Sequence, residues 1–190
     1  MTPFCSDIDI TLRDGRTVHL RAIRSADEEE LLQAFERLDP DARYMRFMRV
    51  VREANVDRLR SFLALFPESG TALVATVPAS DGIDIVGVAS LIIGNDPTSG
   101  EFAVTIAAEY GGAGLGHTLM SELIAAARAR GLMAMEGYVL RINTPMLRLA
   151  ERLGFTTSPD PEDPSVVICR LRLDSPATRS PSPRPAPGTG

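Results

Sequence analysis

Apolar and polar residues alternate in two short runs at the start of the chain, residues 7–12 and 18–23, separated by Asp14-Gly15. That alternation about an Asp-Gly turn predicts paired strands, with Val18, Leu20 and Ala22 on the buried face. The period then changes. Leu31, Leu32, Phe35 and Leu38 fall at helical spacing, opened by Ser25 with Glu28 in capping-box register and stopped by Asp39-Pro40. The acidic run 27–30 reads as a first turn complementing the helix dipole. A second helical stretch follows in two pieces, carrying Tyr44, Phe47 and Met48, then Leu59, Phe62, Leu63 and Phe66. Arg43, Arg46, Arg49 and Arg52 recur at threes within it, which predicts an arginine stripe on one helical face, solvated, forming a wall of a substrate cleft or contacting a coenzyme phosphate.

Three strands are expected next, over residues 71–77, 83–93 and 101–106, from their β-branched content and the turn signals at 78–82 and 95–100. In the third, Phe102, Val104 and Ile106 point one way and Glu101, Ala103 and Thr105 the other. The glycine-dense stretch EYGGAGLGHTLM, residues 109–120, then leads into a helix over 115–130 with an apolar stripe of Leu115, Leu119, Met120, Leu123, Ile124 and Ala127. Gly131 stands in its C′ position. A strand over 133–140, a helix between Asn143 and Gly154, a polar loop over 157–165 and a last strand over 166–173 complete the pattern. This order describes an α/β fold with a mixed sheet. One domain is expected over residues 1–174, followed by a disordered Pro/Ser-rich tail, 175–190, that cannot bury apolar area.

Composition narrows the function. With 190 residues, 44% of them hydrophobic, the chain can bury a full core. A net charge of −5 disfavours nucleic acid as a partner. No apolar run approaches the roughly 20 residues a bilayer requires, and the N-terminus lacks an export signal, so neither membrane nor secretion is expected and the cytoplasm is the expected location. Cys5 and Cys169 read as reduced packing thiols. Two histidines without clustered cysteines predict no metal centre. All twenty basic residues are arginine. No pattern in the chain specifies an oligomer.

The glycine turn bares its backbone at Gly111, Gly112, Gly114 and Gly116 and ends in a helix start, which makes an anion site, most naturally for a phosphate. A Walker loop is excluded because it requires a lysine. A dinucleotide fingerprint would use Gly112 and Gly114, with Glu136 as the ribose acid, but its third glycine falls on His117.

A third reading accounts for more of the chain. The glycine turn after a strand, the following strand, Asn143, a helix and Gly154-Phe155 together resemble the GNAT superfamily of acyl-CoA-dependent N-acyltransferases. The segments TLRDGRTVHLRAIR, ERLDPDARYMRFM, GEFAVTIAAEYGGAGLGHTLM and NTPMLRLAERLGF resemble the bacterial Pat-type protein lysine acetyltransferases in particular. The resemblance implies a GNAT-like, mostly antiparallel sheet flanked by helices, with an acyl-CoA cleft between two central parallel strands. It implies acetyl-CoA as co-substrate, no metal, and a protein lysine or a small amine as acceptor. It maps the pyrophosphate loop onto Gly111, Gly112, Ala113, Gly114, Leu115 and Gly116, with His117 and Thr118 at the helix start. Val104 and Ile106 then fall on the pantetheine strand, and Asn143 on a coenzyme-contacting position. Two departures stand out: the usual Gln or Arg at the head of the loop is Gly111, and the family's tyrosine acid is Ala150, which leaves a non-catalytic acyl-CoA-binding module as an alternative.

Amide formation from a thioester needs a neutral amine. A lysine ammonium with a pKa near ~10.4 supplies roughly one free amine in a thousand at neutral pH, so a base is required. Glu101 is the candidate, since it lies on the strand that would run beside the acyl group, and partial desolvation by Phe102 and Leu91 would suit it to the task. Pat-type enzymes resemble this chain in carrying a glutamate at the start of the same strand. A backbone N–H near Ile106 is the candidate oxyanion donor. Tyr138 and Tyr110 are read mainly as packing or rim residues, and neither His19 nor His117 receives a catalytic role.

Overall fold

The structure is a computed structural model and describes residues 7–173. The opening alternation forms a hairpin of β1 (Ile8–Thr11) and β2 (Thr17–Ala22), turned by Gly15 at φ 87°. β3 (Gly70–Ala79), β4 (Gly82–Ile93) and β5 (Ser99–Ile106) continue the antiparallel meander. After β5 the chain crosses through α4 (Leu115–Ala129) to β6 (Ala134–Leu140), which lies parallel to β5. α5 (Thr144–Arg152), β7 (Thr156–Pro159) and β8 (Val166–Arg172) complete one eight-stranded sheet, ordered β1-β2-β3-β4-β5-β6-β8-β7. The expected mixed, mostly antiparallel sheet is therefore present, with a single parallel pair near its middle.

Helices cover both faces. The apolar stripe of α4, with Leu115, Leu119 and Leu123 fully buried, packs in one cluster with Leu73, Ala89 and Leu91 of the sheet. On the other face α1 (Glu28–Arg37) and α3 (Val56–Leu63) place Leu31 and Leu63 against Val74 and Ile85. α2 (Pro40–Phe47) joins them, capped by the Asp39 carboxylate, which accepts from the Ala42 N–H at 2.7 Å. Among the described residues no helix is long and apolar enough to cross a membrane.

Three expectations are corrected. The expected capping box at Ser25 and Glu28 is displaced by one residue, because residues Ser25–Asp27 form a 3₁₀ turn and Asp27 accepts the Arg24 N–H at 2.7 Å. Asp27 is buried, paired with the equally buried Arg21 at 2.7 and 2.8 Å. Glu28 instead bridges to Arg60 of α3. Second, the arginine stripe breaks, since Met48 turns left-handed at φ 53° and leaves Arg49 and Arg52 outside any helix. Third, β7 lies within what reads as loop. All four of its residues are exposed, so its edge pairing with β8 leaves no hydrophobic period in the sequence. Cys169 is a free, buried cysteine whose thiol burial pushes up in pKa. Cys5 and the expected tail lie outside the described residues.

Candidate active site

The parallel pair is where the sheet opens. β5 and β6 are paired from Ser99 with Ala134 to Glu101 with Glu136 and no further, although β5 continues to Ile106 and β6 to Leu140. The Phe102 ring, next after the last paired residue, takes the space beside Gly137, where a Cβ would come within 2.6 Å of it. It is fixed there edge-on to Phe155, with ring centroids 5.0 Å apart.

This opening frees a backbone edge. The Ala107 N–H donates to the Val86 carbonyl of β4 at 2.9 Å. By strand alternation the polar backbone groups of Thr105 and Ala103 also face β4, while those of Val104 and Ile106 face the gap toward β6. An extended chain bearing amides can pair with that edge. The β5 to β4 register is unbroken from Gly100 to Ile106. The irregularity lies on β4, where Val86 falls between the paired residues Ile85 and Gly87.

A small cavity of about 60 Å³ marks the gap, lined by Glu101, Val104, Tyr138, Asn143 and Met146 among others. Asn143 caps α5, its Oδ1 accepting from the Met146 N–H at 3.2 Å, which leaves its amide nitrogen as a donor at the cavity. The Tyr138 phenol has its pKa raised, chiefly by the Glu136 carboxylate, then by burial and by Glu101, so it keeps its proton through the neutral range. Tyr110 is placed elsewhere, under the Arg16 guanidinium at 3.9 Å. Ala150 is fully buried in the core.

Beyond β5 a 3₁₀ turn, Ala108–Tyr110, delivers the glycine loop to the start of α4. Gly112 and Gly114 have φ of 74° and 95°, so the turn itself requires glycine there. Gly111 has φ −60°, a value open to any residue, but a Cβ would stand 3.0 Å from the Ala108 carbonyl oxygen. Gly116 is small for packing: its Cβ would meet Leu149 at 3.2 Å. The first intrahelical bond runs from the Thr118 N–H to the Gly114 carbonyl, and the Thr118 hydroxyl bonds the same oxygen. The N–H groups of Leu115, Gly116 and His117 therefore remain as the helix-start donors for an anion. His117 is exposed, and the Leu115 side chain belongs to the core. The β1–β2 turn buttresses the loop, with the Arg13 N–H bonded to the Ala113 carbonyl at 3.0 Å.

Glu101 is exposed on the sheet face opposite Phe102 and Leu91, which therefore do not desolvate it. It lines both the small cavity and a larger one of about 430 Å³ on the α1–α3 face, so it stands where the two meet. Arg46 of α2 borders both as well, together with a third cavity of about 590 Å³. Burial lowers the Arg46 pKa and the Glu101 carboxylate opposes that shift, so the guanidinium remains a cation at neutral pH. The arginine spacing offered Arg46 as a cleft wall, but nothing in the sequence brought Glu136 or Ser90 to this place. Only the β5 to β6 register and the seating of α2 do so.

A family model described as "Acetyltransferase (GNAT) domain" matches residues 17–156. An acetyltransferase of Pseudomonas aeruginosa is 35% identical over 163 residues, covering 86% of this chain and 88% of that protein. The crystal structure of the GNAT domain of S. lividans PAT superposes with a TM-score of 0.78 at 22% identity, covering 87% of this chain and 96% of that one. The structure of yncA from Salmonella typhimurium with its cofactor acetyl-CoA has a TM-score of 0.64 at 21% identity, covering 86% and 98%.

Proposed function

This chain belongs to the GNAT acetyltransferase family, and we propose that it transfers the acetyl group of acetyl-CoA to the side-chain amine of a protein lysine. The observation that carries the reading is Glu101 at the junction of two cavities, beside a gap whose strand edge leads directly to the glycine loop. In this reading the pyrophosphate rests on the N–H groups of Leu115, Gly116 and His117, across the turn set by Gly111, Gly112 and Gly114. The pantetheine amides pair with Val104 and Ile106, and the Asn143 amide meets the coenzyme at the gap. These residues fit the coenzyme because a main-chain cradle and an unpaired strand edge supply the donors that its phosphates and amides need. The acetyl-CoA complex of the Salmonella protein of the same fold supports the choice of donor. The likeness to the PAT domain, with the four sequence segments given above, supports a protein acceptor.

The chemistry is direct attack. Glu101 takes a proton from the acceptor ammonium, and the freed nitrogen adds to the thioester carbonyl. A backbone N–H at the gap stabilises the oxyanion, the C–S bond breaks, and the second nitrogen proton is lost as the thiolate leaves. Tyr138, the one hydroxyl lining the small cavity among the described residues, returns a proton to the thiolate in this reading.

Thiol release from acetyl-CoA tests the reading, with a lysine-bearing protein and a panel of small amines as acceptors. Faster release with the protein, with acetyl found on lysine Nζ, is expected. Preference for a small amine would transfer the acceptor assignment to that class.

A further inference from the structure

The cavity of about 430 Å³ on the α1–α3 face is built on two carboxylates that the parallel register sets side by side. Glu101 and Glu136 are direct partners on β5 and β6, so both side chains project from the same face and both line this space. Glu136 is held rather than loose: Arg170 of β8 donates to its Oε2 through both Nε, at 3.2 Å, and Nη2. Its Oε1 makes no hydrogen bond among the described residues. Asp96, at the far rim, is already engaged by Thr98 and Ser99. Arg46 borders the cavity at its junction with the others.

An independent feature marks the floor. Ser90 is only 2% exposed, lines this cavity from β4, and makes no side-chain hydrogen bond among the described residues. A buried hydroxyl without a partner costs free energy unless a ligand or water completes it. On β4 it pairs with Ala103, two residues along β5 from Glu101, so it faces the same cavity as the two carboxylates and is open to a ligand there.

We propose that this cavity seats the acceptor as an alkylammonium, with Glu136 Oε1 and the Ser90 hydroxyl holding the cation beside Glu101. The inference rests on the acetyl-transfer reading and extends it by naming two residues that select the acceptor. The bound ammonium gives one proton to Glu101, which passes it to solvent. The neutral nitrogen forms the C–N bond, the C–S bond breaks, and the second proton leaves with the thiolate as free thiol. Glu136 gains and loses no proton; it supplies charge. An amine flanked by acidic groups is disfavoured by the same two carboxylates.

The test measures KM for two peptides, one lysine flanked by neutral residues and one flanked by aspartates, with the wild-type chain and three variants. Glu136→Gln is expected to raise KM for the neutral peptide about tenfold, leave KM for acetyl-CoA unchanged, and shrink the difference between the peptides. Ser90→Ala raises the same KM by a smaller factor. Arg170→Gln breaks the same ion pair but keeps the carboxylate, and is expected not to raise it. Equal rises in Glu136→Gln and Arg170→Gln would assign Glu136 to a structural ion pair and overturn the inference, as would unchanged KM in Glu136→Gln. Absence of transfer by the wild-type chain to either peptide and to every amine tried would overturn the acetyl-transfer reading itself and this inference with it.

Discussion

Glu101 stands exposed at the meeting of two cavities, so in the proposed mechanism its removal should affect chemistry and little else. Glu101→Gln is expected to lower kcat by about a hundredfold or more, the usual contribution of a general base, with KM for acetyl-CoA unchanged in steady-state assays. The residue was legible from strand alternation together with the family resemblance, but its surroundings were not. The apolar neighbours expected to shield it project from the opposite face, while Glu136 shares its cavity through a strand register that has no sequence period, and Arg46, legible as a possible cleft wall, borders it through the seating of α2. Asp27 makes the converse case, an acid in a charged run that proves structural. Burial works against its ionisation, yet the Arg21 guanidinium and the Arg24 N–H outweigh burial and hold its carboxyl below the usual range. A carboxyl depressed on folding stabilises fully above its unfolded pKa of about 3.9, and that contribution is lost as pH falls through the lower folded value. Asp27→Asn should therefore cost roughly 3–5 kcal/mol in urea unfolding at pH 7, by stranding Arg21, and the deficit should narrow as the pH falls below the unfolded value of about 3.9.

At the scale of elements, the glycine loop and the gap between β5 and β6 obey separate constraints. Gly112 is required by its φ of 74°, with no atom within 4 Å of where a Cβ would stand. Gly112→Ala thus strains only the loop backbone, by about 1–2 kcal/mol, and is expected to raise KM for acetyl-CoA several-fold and to lower the melting temperature by about 2–4 °C per kcal/mol. Gly137 is required by the Phe102 ring instead. Gly137→Ala should displace that ring, cost about 1–3 kcal/mol in denaturant unfolding, and lower activity by altering the gap. The sequence revealed Gly112 as part of the glycine turn, but the opposite reasons for the two, φ in one and a neighbouring ring in the other, depend on coordinates. It also revealed every strand with a buried face. β7 escaped because all its residues are exposed and its partner lies beyond a turn of Pro and Asp residues.

For the whole molecule, the order of helical and strand periods was enough to anticipate a mixed sheet, because those periods record which face of each element is buried, while the family was anticipated from the resemblance carried by the glycine turn and the four segments. The site required more, since it forms where four pieces converge: the last paired residues of β5 and β6, the loop before α4, the cap of α5 and the end of α2. Among these only the loop and the cap announce themselves by composition. The functional account stands or falls on one assay: thiol release from acetyl-CoA by the wild-type chain with a lysine-bearing protein acceptor, run beside Glu101→Gln. The account predicts release matched by acetyl on lysine Nζ and nearly abolished in the variant. Acetyl-CoA binding without release for any amine, or a variant as fast as the wild type, would contradict it.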